Sequence, residues 1–581
     1  MTKKHDGAMD RLLDDLYESL LQLFPEFATR AGDHRFDDRL GDPGPQGRAA
    51  YESTVRRFLA RIRKIDPALL GPRRRTDLEL ARLWLETEAE GFPFHFGFLL
   101  VDQLQGFQII LPNIVGDMPY DTEYDYGNAI ARVEGLPTYV DRLIEGTREG
   151  LRSGIRQALP AVEKVLAQID LQLAMAPADH PFFQPFRRFP DGIPGGAQGR
   201  IRTEALAAIG RSALPALRRF AGHLRSEYLP KARREAGIWS LPRGREIYAW
   251  LARQSTTTAL SPEEIHRIGL TEVERIRSEM EAVKGSTGFQ GSLEEFFLFL
   301  RSEPRFYHGT AADLVTGYRD ISKRVDAELP RFFGRLPRTP YGVVPIPAFA
   351  AASNTSAYYQ PPPAGGLRPG LFFANTHDLR SRPRYEMEAL TLHEAVPGHH
   401  LQLALQIEME DLPRFRTLWL GFTAYVEGWA LYCERLGKEM GFYTDPYSEF
   451  GRLTFEIWRA ARLVVDTGIH HMEWTREQAI DYLLATSGLA RLNIESEVDR
   501  YIAWPAQALA YKIGELRIRD LRRRAEAALG PAFDLRAFHD RILQDGSLPL
   551  DLLDQRVAAW IRRGRGAGPG STPPRRGRQK G

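Results

Sequence analysis

The residues best suited to chemistry lie in one run, His393-Glu394-Ala395-Val396-Pro397-Gly398-His399-His400, where three imidazoles and one carboxylate share eight positions. Of the fourteen histidines in the chain, six fall between His377 and His471. In the usual metallopeptidase helix, two His at i and i+4 hold one metal and the Glu beside the first serves as general base. Here the i+4 position is Pro397. On an unbroken helix His393 would sit about 9 Å from His399 along the axis and about 10.5 Å from His400, too far to share an ion. Pro397 lacks the N–H that would bond the His393 carbonyl, it pushes Val396 away from helical geometry, and Gly398 tolerates conformations closed to other residues. The Pro-Gly pair is therefore expected to form a bulge that absorbs two residues and returns His399 to His393. His400 is the alternative ligand if the bulge absorbs three.

A catalytic zinc takes three protein ligands and leaves one position for water. Cys433 is the single cysteine, so no thiolate cluster can form and the ligands must be imidazole and carboxylate. The segment from Leu420 to Cys433 is apolar almost all round, which makes Glu427 a carboxylate in a buried helix and in need of a partner. Metal is one such partner and an arginine from another helix is the alternative. Glu434 is either a competing ligand or a group that orients a ligand from behind.

These residues must be positioned by helices. Apolar spacing of three and four recurs at Leu12, Leu16, Leu20 and Phe24, from Leu206 to Leu224 and from Phe455 to Val465. The fold class expected is mainly α, with loops at the Pro and Gly clusters around Gly41–Gly47, Phe182–Gly199, Leu241–Arg243 and Ser286–Gly291. One stretch differs. Tyr341–Phe349, Ala357–Tyr359 and Leu371–Thr376 are β-branched and aromatic, so a small hairpin or sheet should precede the metal helix and could take an extended peptide at its edge. Asn375, at the end of that run, is a candidate substrate contact.

Composition excludes several classes. A chain of 581 residues with 43% hydrophobic content can build a large core. The net charge of +3 includes seven basic residues and no acid between 562 and 581, so the remainder carries about 3 − 7 = −4. The expected organisation is one helical domain over 1–561, in one or two lobes, and a disordered basic tail over 562–581. Nucleic acid is not expected as a partner of the main domain. Neither a secretory signal nor a long apolar span is evident, which favours a cytoplasmic placement with no membrane contact.

Four segments, HEAVPGHHLQ, EGWALYCERLG, RLVVDTGIH and EVDRYIAWPAQALAYKIGELRI, resemble the bacterial family called domain of unknown function 885. The likeness runs from LFPEFATRAGDHRFDDRL near the N-terminus to FHDRILQDGSLPLDLL near the C-terminus. That family is grouped by resemblance with the gluzincin peptidases, whose converting-enzyme and oligopeptidase branches are long helical proteins around a deep cleft. The resemblance implies a zincin-like fold, one Zn2+ per chain, His393 and a second His as ligands, Glu427 as third ligand and Glu394 as base. In the converting-enzyme branch a His and a Tyr about ten residues apart stabilise the oxyanion. Tyr501 and Tyr511 have that separation here, which points to Tyr511 as the donor to the oxyanion and to Tyr501 and Arg500 as substrate contacts. His470, within the third motif, is a further substrate candidate, Asp466 a candidate for orienting a ligand, and Glu495 and Glu497 candidates for binding a peptide amino terminus.

The function expected is zinc-dependent hydrolysis of peptide bonds in short peptides, with Glu394 taking the proton of the attacking water. The alternative is a metal-containing peptide-binding protein without turnover, against which the presence of Glu394 counts.

Overall fold

The computed structural model describes residues 2–347, 351, 355–363 and 368–566. Helices dominate, and many begin on a proline, as at Pro45, Pro72, Pro262 and Pro446. A first-turn N–H has no helical partner, so proline costs nothing there. Some expected loops are thus shorter than the Pro and Gly clusters suggested.

The elements around the candidate site are α1 (Pro262–Ser286), α2 (Ala311–Phe332), β1 (Tyr341–Pro345), β2 (Ala357–Gln360), β3 (Gly370–Ala374), α3 (Met387–Glu394), α4 (His399–Ile407), α5 (Thr423–Leu436), α6 (Pro446–His470), α7 (Arg491–Ala503) and α8 (Ala510–Leu529). The expected sheet has three strands in the order β1-β3-β2, with β1 parallel and β2 antiparallel to β3. Phe349, counted in its first strand, lies outside the described residues.

Two long pairings organise this half of the molecule, α1 on α6 and α5 on α8. The second is fixed by glycines. A Cβ on Gly428 would stand 2.4 Å from the Gly514 backbone, and one on Gly514 would stand 1.9 Å from the Ala424 carbonyl. Backbones that cross so closely exclude any side chain, and the crossing holds Glu427, next to Gly428, at a set depth. A separate apolar cluster, drawn only from residues between Val101 and Tyr228, gives that stretch its own core. No helix among the described residues is long and apolar enough to cross a membrane. The last helix, Leu550–Gly566, extends through residues 562–566, which were expected to belong to the disordered tail. Residues 567–581 lie outside the described part.

Candidate metal centre

The Pro-Gly segment does not form a bulge within one helix. Helix α3 ends at Glu394, residues 395–398 turn, and α4 begins at His399. The Val396–Pro397 peptide is cis. Gly398 is needed for a reason the sequence did not reveal: a Cβ there would lie 1.9 Å from the His393 carbonyl oxygen. The turn is pinned from outside by Trp429 of α5, whose buried indole N–H donates to the Pro397 carbonyl at 2.8 Å.

This break brings the expected ligands together. One donor atom each from His393, His399 and Glu427 lies within 4.8 Å of the other two. The imidazole rings of His393 and His399 are 4.8 Å apart at 87°. Glu427 Oε2 stands 3.5 Å from His393 Nε2 and 3.6 Å from His399 Nε2, yet this buried oxygen has no hydrogen-bond partner. An unsatisfied buried acceptor costs about 1–3 kcal/mol, more for a charged one. Two imidazole nitrogens and a carboxylate oxygen are a donor set that suits zinc with one position left open. The residues present therefore fit the metal.

Glu434, two turns along α5, supports the ligands from behind. Its Oε1 accepts from His393 Nδ1 at 2.8 Å, which turns the Nε2 lone pair toward the cluster. Burial alone would depress the His393 pKa, but Glu427 and Glu434 outweigh it and hold the imidazolium up to about 9. Burial likewise opposes ionisation of Glu427, and the two neighbouring imidazoles reverse that and hold its carboxyl well below the usual range. The cluster is thus a site built for positive charge.

Glu394 follows His393 directly and is largely buried, and among the described residues none hydrogen-bonds to it. Tyr318 of α2 was not singled out by sequence reasoning. Its phenol is pushed up by burial first and then by the charges of Glu386 and Glu394. It sits some 75 residues away in a helix with an ordinary apolar stripe, so only the fold could reveal it.

Several other candidates lie elsewhere. His400, the alternative ligand, stands outside the cluster: its Nδ1 accepts from the Tyr359 hydroxyl at 2.8 Å and its Nε2 donates to the Thr339 carbonyl at 3.1 Å, so it ties α4 to the sheet. His470 is fully buried, with Nδ1 accepting from Ile238 N–H and Nε2 donating to the Tyr501 carbonyl; burial lowers its pKa to about 3. It holds α6 to its neighbours rather than facing substrate. Asn375 donates to the Ala351 and Thr355 carbonyls and accepts from His377 N–H, which ties the chain just after β3 to residues that precede β2. Asp466 accepts from the Tyr248 hydroxyl and Ala506 N–H and not from Arg462; burial raises its carboxyl to about 7.

The remaining candidates form a second polar group. Tyr501 is buried, its hydroxyl accepting from Trp458 and Arg462. Arg500 bonds Glu497 and Gln507. Tyr511 is half-buried, with Gln507 at 3.5 Å and the Arg462 guanidinium 4.5 Å from its ring. Glu497 accepts from Arg462 and Arg500, and Glu495 from Arg491.

A protein of known structure described as a "putative lipoprotein" from Colwellia psychrerythraea is similar to this chain, with 29% identity, coverage of 96% of this chain and 99% of that one, and a TM-score of 0.92. A "putative lipoprotein of unknown function" from Shewanella oneidensis shares the fold at 20% identity, with 94% of this chain and 99% of that one covered and a TM-score of 0.72. No curated protein matches. The model of the bacterial proteins of unknown function DUF885 matches residues 25–557, and the chain belongs to that family.

Proposed function

We propose that the chain is a zinc-dependent peptidase of the gluzincin type, acting on short peptides. The observation that supports this reading is the convergence of His393, His399 and Glu427 from three helices, with Glu427 Oε2 buried and unbonded at their meeting point. Zinc, when bound by these three residues, acidifies a water and polarises a carbonyl oxygen. Glu394 accepts the proton of the attacking water on its carboxylate and then delivers it to the leaving nitrogen, a role for which it must adjoin a ligand and remain free of other bonds. Tyr511 donates its hydroxyl hydrogen to the oxygen on which negative charge develops. β1 and β2 are both edge strands, so an extended peptide can add main-chain hydrogen bonds without specific side chains.

A peptide binder without turnover would need the ligands but has no use for Glu394. The description of the Colwellia relative as a lipoprotein leads us to favour peptides of the cell envelope over the cytoplasmic placement expected from the sequence.

The test is Glu394→Gln, which keeps shape and ligands. Zinc content should match wild type, and peptide turnover should fall by about 10² to 10⁴, the usual contribution of a general base. Undiminished turnover in metal-loaded protein would refute the mechanism.

A further inference from the structure

Helix α6 is buried along almost its whole length, and between residues 451 and 470 Trp458 is the one side chain that reaches partly open space. Two guanidinium groups lie against its indole, Arg459 at 4.6 Å and Arg462 at 4.3 Å from the ring centroid. Stacking on an aromatic face satisfies a guanidinium plane but leaves its N–H edge to find acceptors. Here the acceptors run short.

Arg462 gives Nε to the Tyr501 hydroxyl at 3.0 Å and Nη2 to Glu497 at 3.2 Å, while Nη1 is buried with no partner. Arg500 draws on the same Glu497 oxygen at 3.2 Å. Two guanidiniums thus share one carboxylate, and one positive charge is left over. Arg459, only 5% exposed, makes a single hydrogen bond of 3.4 Å to the Phe455 carbonyl, and its ion pair with Glu434 is 3.7 Å long. Buried charges with incomplete pairing are costly to keep. The side chains that border this group, Trp458, Tyr511 and Arg500, are all partly exposed, whereas Arg459 and Arg462 themselves are buried.

The group also adjoins the metal centre. Glu434 links the two, with Oε1 2.8 Å from His393 Nδ1 on one side and 3.7 Å from Arg459 on the other.

We infer that Arg462 and Arg459, stacked on Trp458, form a subsite for a single carboxylate of a peptide held at the metal centre. This rests on the peptidase reading for the identity of the ligand. A monoanion matches the one surplus charge, and a planar carboxylate matches the fork of a guanidinium edge. Either the free C-terminus or an acidic side chain supplies that chemistry, and the two differ in what the enzyme does. Capture of the C-terminus makes the protein count residues from that end of its substrate.

The probes are pentapeptides of Ala and Phe in three forms: free acid, C-terminal amide, and amide ending in Glu. Cleavage by zinc-loaded wild type is followed by mass spectrometry, and affinity for zinc-loaded Glu394→Gln protein by calorimetry. At least one carboxylate-bearing form should be favoured over the plain amide by about tenfold or more, in kcat/KM and in affinity. Preference for the free acid alone identifies the C-terminus, and preference for the Glu amide identifies the side chain. Arg462→Gln should bring the forms within about twofold of one another, and Arg459→Gln should shrink the preference in the same direction. Equal treatment of all three forms by wild type overturns the subsite, and this comparison needs no variant to fold. Survival of the preference in both variants, or failure of wild type to bind any form, overturns it equally. Cleavage without preference removes the subsite and leaves the peptidase; preferential binding without cleavage removes the peptidase and leaves the subsite.

Discussion

Two buried histidine sites in this molecule differ in one respect, and that respect separates the candidate metal centre from a structural joint. At the C-terminal end of α6, His470 spends both ring nitrogens on backbone groups, one accepting from Ile238 and one donating to Tyr501. At the break between α3 and α4, His393 spends only Nδ1, on Glu434, and aims Nε2 at Glu427 Oε2, an atom with no hydrogen-bond partner among the described residues. Both sites are buried, and both histidines sit near an acid in the sequence. What distinguishes them is where the unspent lone pairs point. Burial of a histidine signals function only when its remaining nitrogen converges with other donors.

The largest test of that contrast is removal of the donors. His393→Ala, His399→Ala and Glu427→Ala should each weaken zinc binding by about three orders of magnitude or more, because two ligands cannot enclose the ion. His400→Ala and His470→Ala should keep one zinc per chain. Metal analysis after dialysis against a weak chelator reads both outcomes, and full occupancy in His399→Ala would break the contrast.

A smaller effect is expected behind the ligands. Glu434→Gln keeps an acceptor near His393 Nδ1 but loses its charge, so zinc affinity should fall about 10- to 100-fold with stoichiometry unchanged. A chelator competition series measures it. No change would mean that Glu434 balances Arg459 and does little for His393.

The smallest effects belong to the joint. His470→Gln should cost about 1–3 kcal/mol at pH 7 through imperfectly replaced hydrogen bonds, with zinc content unaltered. Burial holds the folded His470 pKa at about 3, below its ordinary 6.5, so the unfolded chain takes up a proton that the folded chain refuses. Its contribution is complete above about pH 6.5 and is lost as the pH falls toward 3, at up to about 1.4 kcal/mol per pH unit. Urea unfolding at pH 7, 6 and 5 should therefore show the gap between wild type and His470→Gln closing as the pH drops. A constant gap would mean that His470 takes up its proton as readily in the folded protein as in the unfolded chain.

Much of the site was legible without coordinates. The concentration of imidazoles beside Glu394 marked the candidate site, because few roles call for those residue types at that density, and two of those imidazoles do converge with Glu427. The apolar surroundings of Glu427 marked it as a carboxylate that needs a cation, since burial cost can be read from composition alone. The missing N–H of Pro397 pointed to an interrupted helix, but as a bulge rather than the turn between two helices that forms. The sheet ahead of the metal helix and the dominance of helices followed from periodicity. The place of Arg462 was not legible, since its partners come from α6, α7 and α8, although Arg500, Tyr501 and Tyr511 beside it were candidates.

The choice between His399 and His400 was left to the tertiary structure. Adjacent residues at the start of a helix point about 100° apart, so one of the pair had to face α5 and the other the sheet. Which one does so is decided by the seating of the turn, with Gly398 against the His393 carbonyl and Pro397 held by Trp429. The depth of Glu427 is decided by the Gly428–Gly514 crossing, a contact between segments some 86 residues apart. Local sequence determined the chemistry available at each of these positions, because residue type sets donors, charge and backbone freedom. Only the packing of distant helices decided which donors meet, because direction and distance are properties of the assembled chain.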